Sequence, residues 1–223
     1  MSSAISRSRF NSFILHTVAT ANLIWAFNWI NHNSDVAIRR SYGSHFQHLT
    51  VLSLAVTLLS MVVGLFSDIS GSLTLVKLKN ILLYIVCPLE TIVSILYWSI
   101  VSYDRSLLIP KDRPVPLPLN FDISVHLMPT VYTLIDYLFF SPPFSLSIGP
   151  SLLVYLSIAV SYMLWVEKCY QMNKFYAYPI LAILDPIKKT IFYTVASIIS
   201  FSCYIVLKMV HPYALPSGAP PRS

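Results

Sequence analysis

Residues 46–66 read Phe46-Gln-His-Leu-Thr50-Val-Leu-Ser-Leu-Ala-Val-Thr-Leu-Leu-Ser60-Met-Val-Val-Gly-Leu-Phe66, and Ser67, Asp68 and Gly71 close the run. No Asp, Glu, Lys or Arg interrupts it. A helix needs roughly 20 mostly apolar residues to cross about 30 Å of hydrocarbon, so this run has the length of a membrane span. Comparable runs cover Phe10–Ile30, Ile81–Val101, Asp122–Phe140, Ser151–Val166 and Thr190–Val210. Arg7 and Arg9 precede the first as in a signal sequence. That run is too long for a signal h-region and no convincing cleavage site closes it, so it reads as a signal anchor and first span.

Composition agrees. Of 223 residues, 56% are hydrophobic and 11% charged, with mean hydropathy +0.67. A soluble domain carries about 25% charge. This excludes an ordinary soluble enzyme, a disordered chain and a small disulfide-stapled domain. The expected fold is all-α, a polytopic integral membrane protein with a bundle of about six transmembrane helices. Residues 1–211 form one domain, and the Pro- and Ser-rich stretch 212–223 reads as a disordered tail. The formal charge of +6 suits anionic headgroups at the interface. The basic residues form no stripe for nucleic acid.

Lys77 and Lys79 fall in the connection between spans 2 and 3. Pro110, Pro114, Pro116 and Pro118 lie in a loop outside lipid. Cys87, Cys169 and Cys203 have no metal or redox spacing. G-x-S-x-G, H-E-x-x-H and P-loop patterns are absent, and His45 with His48 makes a single H-x-x-H. Neither a metal nor a cofactor is implied.

A polar group in hydrocarbon is costly unless it is paired or faces a cavity. The ionisable residues at membrane depth are His16, Glu90, His126 and Asp136, with Asp122 at an interface. Spans 2, 4 and 6 start on one side, where the helical rise puts Thr50 and His126 each roughly 6 Å below the interface. Asp104 and Arg105 end span 3 on that side, and Tyr178 and Pro179 lie in the loop between spans 5 and 6. Pro129 leaves the carbonyl of Val125 unbonded and bends the helix beside His126. Asp122, four residues earlier, can accept the Nδ1 proton and leave Nε2 as a base. Other readings stay open. Thr50 can bond the carbonyl four residues back, His126 can serve packing, and Asp122 can cap its helix. Glu90 can be protonated or bonded within the helix interior, and Asp136 can be solvated at the far end of span 4.

The order of these residues resembles the androgen-induced protein family. The resembling segments are Gly43-Ser-His-Phe-Gln-His-Leu-Thr50, Leu96-Tyr-Trp-Ser-Ile-Val-Ser-Tyr-Asp-Arg105 with Pro110 after it, His126-Leu-Met-Pro129 on to Asp136, and Tyr162-Met-Leu-Trp165 with Tyr178-Pro179 beyond. They run in the family's order from about residue 10 to residue 208. The resemblance implies a multi-span membrane hydrolase of fatty acid esters of hydroxy fatty acids. It puts a threonine nucleophile at Thr50 and a histidine base at His126. The orienting role of Asp122 rests on local geometry alone. The oxyanion donor is open between a backbone N–H near Thr50 and the Arg105 side chain. The expected partner is a membrane lipid substrate, and the expected membrane is the endoplasmic reticulum. The rival reading is a non-catalytic lipid-binding or scaffold protein. A third is a transporter with Glu90 and Asp136 as coupling carboxylates.

Overall fold

The computed structural model describes residues 2–109 and 117–214. Pro110, Pro114, Pro116 and residues 215–223 of the expected tail lie outside them. The helices are α1 (Ser2–Asn33), α2 (Val36–Arg40), α3 (Leu49–Ser70), α4 (Leu73–Asp104), α5 (Leu119–His126), α6 (Met128–Phe140), α7 (Ile148–Asn173), α8 (Ile180–Ile183) and α9 (Pro186–Ala214). Short 3-10 turns cover Ser44–Gln47 and Arg105–Leu107. Six spans are long and apolar enough to cross a membrane: α1, α3, α4, α5 with α6, α7 and α9. The protein is an all-α polytopic membrane bundle.

The apolar runs mark where the spans are, and the helices extend past them. In hydrocarbon the backbone keeps its own hydrogen bonds, so a helix continues until water or another group takes over its terminal amides. At the end of α3, Gly71 takes the left-handed conformation and its N–H bonds Ser67 O at 2.8 Å. The Arg9 guanidinium bonds the carbonyls of Asp68 at 2.5 Å and Ile69 at 3.1 Å. These are the end groups a helix leaves unpaired.

Lipid gives apolar faces no reason to associate, so small residues and interhelical hydrogen bonds hold such bundles together. Ser53, Thr57, Ser60, Gly64 and Ser67 recur at helical spacing and form a buried stripe on α3. Thr57 Oγ1 donates to Glu90 Oε1 on α4 at 2.7 Å. Thr130 Oγ1 on α6 donates to the Glu90 carbonyl at 2.7 Å. Glu90 is therefore bonded to the neighbouring helices α3 and α6, rather than within its own helix. Leu59, Phe66 and Ile69, on the rest of α3, are exposed to the bilayer.

Two sequence expectations need correction. Lys79 is not in a connection: α4 begins at Leu73, and Lys79 is 3% exposed inside the bundle. Asp136 is not solvated, because its carboxylate is fully buried. The charge of each explains the other's position. Lys79 Nζ donates to Asp136 Oδ1 at 2.6 Å and to Ser141 Oγ at 2.9 Å. His16 on α1 places Nδ1 2.6 Å from Asp68 Oδ2 and Nε2 3.3 Å from Asp136 Oδ2. The four groups join α1, α3, α4 and α6, and their formal charges sum to zero when both His16 nitrogens carry protons.

Gly64 makes this geometry possible. A Cβ there would lie 2.6 Å from the His16 ring. Gly64→Ala is expected to push the ring off its two carboxylates and to cost about 1–3 kcal/mol as an overpacked core position. Thermal denaturation of the detergent-solubilised protein checks this. An unchanged midpoint would show that the ring has room to shift.

The fourth span breaks where Pro129 predicts. Helix α5 ends at His126, Leu127 leaves helical geometry at φ −127° and ψ −50°, and Pro129 opens α6, where its missing N–H costs nothing. His126 therefore sits at a helix end rather than mid-helix.

Candidate active site

The segment that presents Thr50 is built from the outside inwards. Gly43 has φ +79°, and a Cβ on it would lie 2.8 Å from the Cys169 sulfur of α7. Both the left-handed turn and the close approach call for glycine. The Ser44–Gln47 turn that follows is clamped to α7. Trp165 Nε1 donates to the Phe46 carbonyl at 2.8 Å. The Tyr162 hydroxyl donates to Gln47 O at 3.0 Å and accepts from Leu49 N–H at 3.0 Å. Buried Gln47 accepts from Asn173 Nδ2 at 3.0 Å and donates to Ser41 Oγ at 2.6 Å. Two short sequence motifs more than a hundred residues apart are thus direct partners.

Thr50 stands in the first turn of α3, where the helix dipole is positive. Its hydroxyl does not bond its own helix. The carbonyl four residues back belongs to Phe46 and accepts from Trp165. Thr50 Oγ1 instead lies 3.5 Å from the Tyr178 hydroxyl. Burial raises the Tyr178 phenol above the ordinary tyrosine value, so it keeps its proton and can donate. The edge of the His48 ring meets Tyr178 at 5.1 Å between centroids. His45 Nε2 bonds Ser34 Oγ at 3.0 Å. Burial and the Arg39 charge lower the pKa of His45, which favours its neutral form. The H-x-x-H pair thus serves the turn before α3.

His126 is held on three sides. Its Nδ1 donates to Asp122 Oδ1 at 2.9 Å, with Asp122 O at 3.2 Å. The Tyr97 ring lies flat on it, with centroids 3.3 Å apart and planes 3° apart. The Tyr97 hydroxyl donates to Asp122 Oδ1 in a short hydrogen bond. Asp122 does not cap α5, which begins at Leu119 with Pro118 before it. Its carboxylate instead lies against the imidazole Nδ1, and Nε2 makes no protein hydrogen bond among the described residues.

Thr50, His126 and Tyr178 line one cavity of about 340 Å³, with His45, His48, Ser34 and Asp35 among its polar walls. No hydrogen bond joins Thr50 to His126. A second cavity of about 90 Å³ adjoins Thr50, Tyr97 and Tyr178 and is lined almost wholly by apolar groups.

The structure leaves the other candidates elsewhere. Asp104 caps the Arg105–Leu107 turn by accepting from Ser106 N–H at 2.9 Å, and Arg105 is exposed. Neither lines the two cavities. Glu90 and Asp136 bond different partners, and neither lines these two cavities. Among the described residues, no group of three or more His, Cys, Asp or Glu could hold a metal ion. Tyr97, Tyr162 and Tyr178 lie inside the short motifs quoted above, but their roles needed the folded contacts.

These features define a polytopic membrane protein with a histidine–carboxylate pair and a threonine at one cavity. Residues 11–212 match the FAR-17a/AIG1-like protein family, and the chain belongs to it. It is 22% identical to the androgen-induced gene 1 protein of Homo sapiens over 196 residues, covering 80% of this chain and 81% of that protein. It is 25% identical to the androgen-dependent TFPI-regulating protein of Mesocricetus auratus over 174 residues, 74% of each chain. A UPF0641 membrane protein of Saccharomyces cerevisiae is 25% identical over 196 residues, 80% of this chain and 82% of that one. No solved structure matches it.

Proposed function

We propose that this protein is a membrane-embedded lipid ester hydrolase with Thr50 as nucleophile and His126 as general base. The substrate class is the fatty acid esters of hydroxy fatty acids. The observation that carries the reading is the shared cavity: the Thr50 hydroxyl and the ring of His126, its Nδ1 occupied by Asp122, line the same 340 Å³ space.

A threonine hydroxyl needs a base before it attacks an ester. His126 Nε2 takes the Thr50 proton as Oγ1 bonds to the carbonyl carbon. The carbon–oxygen bond to the alcohol then breaks, and the imidazolium returns its proton to the departing hydroxy acid. Water, deprotonated by the same nitrogen, releases the fatty acid and restores Thr50. Catalytic hydrogen bonds are often long until substrate is seated, so the missing Thr50–His126 bond is compatible with this route. The Tyr178 hydroxyl supplies an oxyanion donor beside Thr50, in place of Arg105.

Membranes expressing the protein are expected to release free fatty acid from such an ester above control membranes; no release would leave the non-catalytic lipid-binding reading. Asp122→Asn is expected to lower kcat about 100-fold or more, because the amide no longer holds the Nδ1–H tautomer. Tyr178→Phe is expected to cost about 10–100-fold.

A further inference from the structure

The two cavities beside Thr50 differ in one respect that matters to an ester. The larger contains His126, His45, His48, Ser34 and Asp35. The smaller does not contain His126, and its apolar wall includes Val93, Leu96 and Ile100 of α4, Leu181 of α8, and Phe192 and Ala196 of α9. The polar atoms of two of its tyrosines are already engaged. The Tyr162 hydroxyl is held by Gln47 O and Leu49 N–H, and the Tyr97 hydroxyl by Asp122. Thr50, Tyr97, Tyr178 and Leu108 belong to both cavities and form the partition between them.

An ester attacked at Thr50 has two arms with different needs. The alcohol oxygen must receive a proton from His126 as it leaves. Water must then enter at that same place and give a proton to the same nitrogen. The alcohol arm and the water therefore need the His126 side of the partition. The acyl arm stays bonded to Thr50 throughout, exchanges no proton and needs only apolar contact.

Resting on the hydrolase reading above, we propose that the smaller cavity, a slot walled in part by α4, α8 and α9, is the acyl subsite, and that the larger cavity receives the alcohol arm. The slot takes an unbranched alkyl chain, and its bore sets the acyl preference. Ala196 is the smallest side chain on its wall, and Phe192 lies one helical turn away on the same face of α9. The two residues set the width of the slot in opposite senses. Ile38, on α2, borders only the larger cavity.

The test uses full-length protein in detergent micelles and p-nitrophenyl esters from acetate to decanoate. The leaving group is constant in this series and only the acyl arm varies. Ala196→Leu is expected to lower the decanoate-to-acetate ratio of kcat/KM by tenfold or more. Phe192→Ala is expected to raise that ratio at least threefold. Ile38→Trp is expected to lower kcat/KM progressively for hexanoate esters of longer alcohols while the acyl ratio stays put. A ratio within one preparation does not depend on the fraction folded, so poor folding cannot imitate these shifts. If wild type hydrolyses the esters but neither α9 variant moves the acyl ratio, or if Ile38→Trp moves it, the subsite assignment is wrong and the hydrolase reading stands. If wild type hydrolyses none of the esters, the hydrolase reading falls and takes the subsites with it.

Discussion

Thr50→Ala and His126→Ala are each expected to reduce ester hydrolysis by about 10³-fold or more at matched expression, with the double variant no worse than either alone. The magnitude follows from the chemistry. Without the hydroxyl there is no atom to acylate; without the imidazole the hydroxyl stays protonated and weakly nucleophilic. The two act as one unit, so their losses do not add. Thr50→Ser keeps a hydroxyl and retains part of the rate. The pH profile separates this role from a structural one. Activity is expected to rise with pH as His126 loses its proton, because only the neutral ring accepts the Thr50 proton. On the alkaline side Tyr178 sets the limit as an oxyanion donor. Burial raises its phenol, so the donor persists through the ordinary tyrosine pKa of about 10 and is lost only above it. Full activity in either alanine variant would remove the dyad.

The second large effect lies at the other end of the bundle. His126 and Asp136 are ten residues apart in the fourth span, about 15 Å along a helix. Lys79→Met leaves the carboxylates of Asp136 and Asp68 with His16 as the one remaining cation of the four groups, and Asp136→Asn leaves Lys79 without its anion. Each single change is expected to cost about 3–5 kcal/mol, the cost of an uncompensated buried charge. For a chain of 223 residues that lowers the thermal midpoint by on the order of 10 °C. The double variant removes both charges and leaves His16 with Asp68, so it recovers most of the loss. The coupling from this double-mutant cycle, read by thermal melts in detergent, is the decisive quantity. Strictly additive losses would show that the Lys79–Asp136 contact carries little of the stability. Asp136 engaged in this way and Glu90 bonded to Thr57 each join neighbouring helices.

The same contrast decides how much was legible in advance. Six spans follow from run length alone, because a chain in hydrocarbon must satisfy its own backbone and a helix does so locally. The interruption beside His126 also follows from sequence, since Pro129 lacks the N–H that Val125 O would need. So does the proximity of Asp122 to His126, because residues four apart on a helix are neighbours wherever the helix lies, although spacing left pairing and capping both open. These are local consequences of bonding along one chain. Contacts between helices are not local. They depend on helix rotation and crossing, which small-residue stripes such as Ser53, Thr57, Ser60 and Gly64 settle only once a partner is in place. That is why Lys79 read as a surface lysine until Asp136, 57 residues away, met it inside the bundle. It is also why Tyr97 and Tyr178 had no role until one lay on His126 and the other beside Thr50. Sequence alone determined that the protein spans the membrane and placed a carboxylate four residues from His126, with pairing and helix capping both open. Tertiary structure decided which hydroxyls that pair shares a cavity with, because only packing brings distant helices to one point.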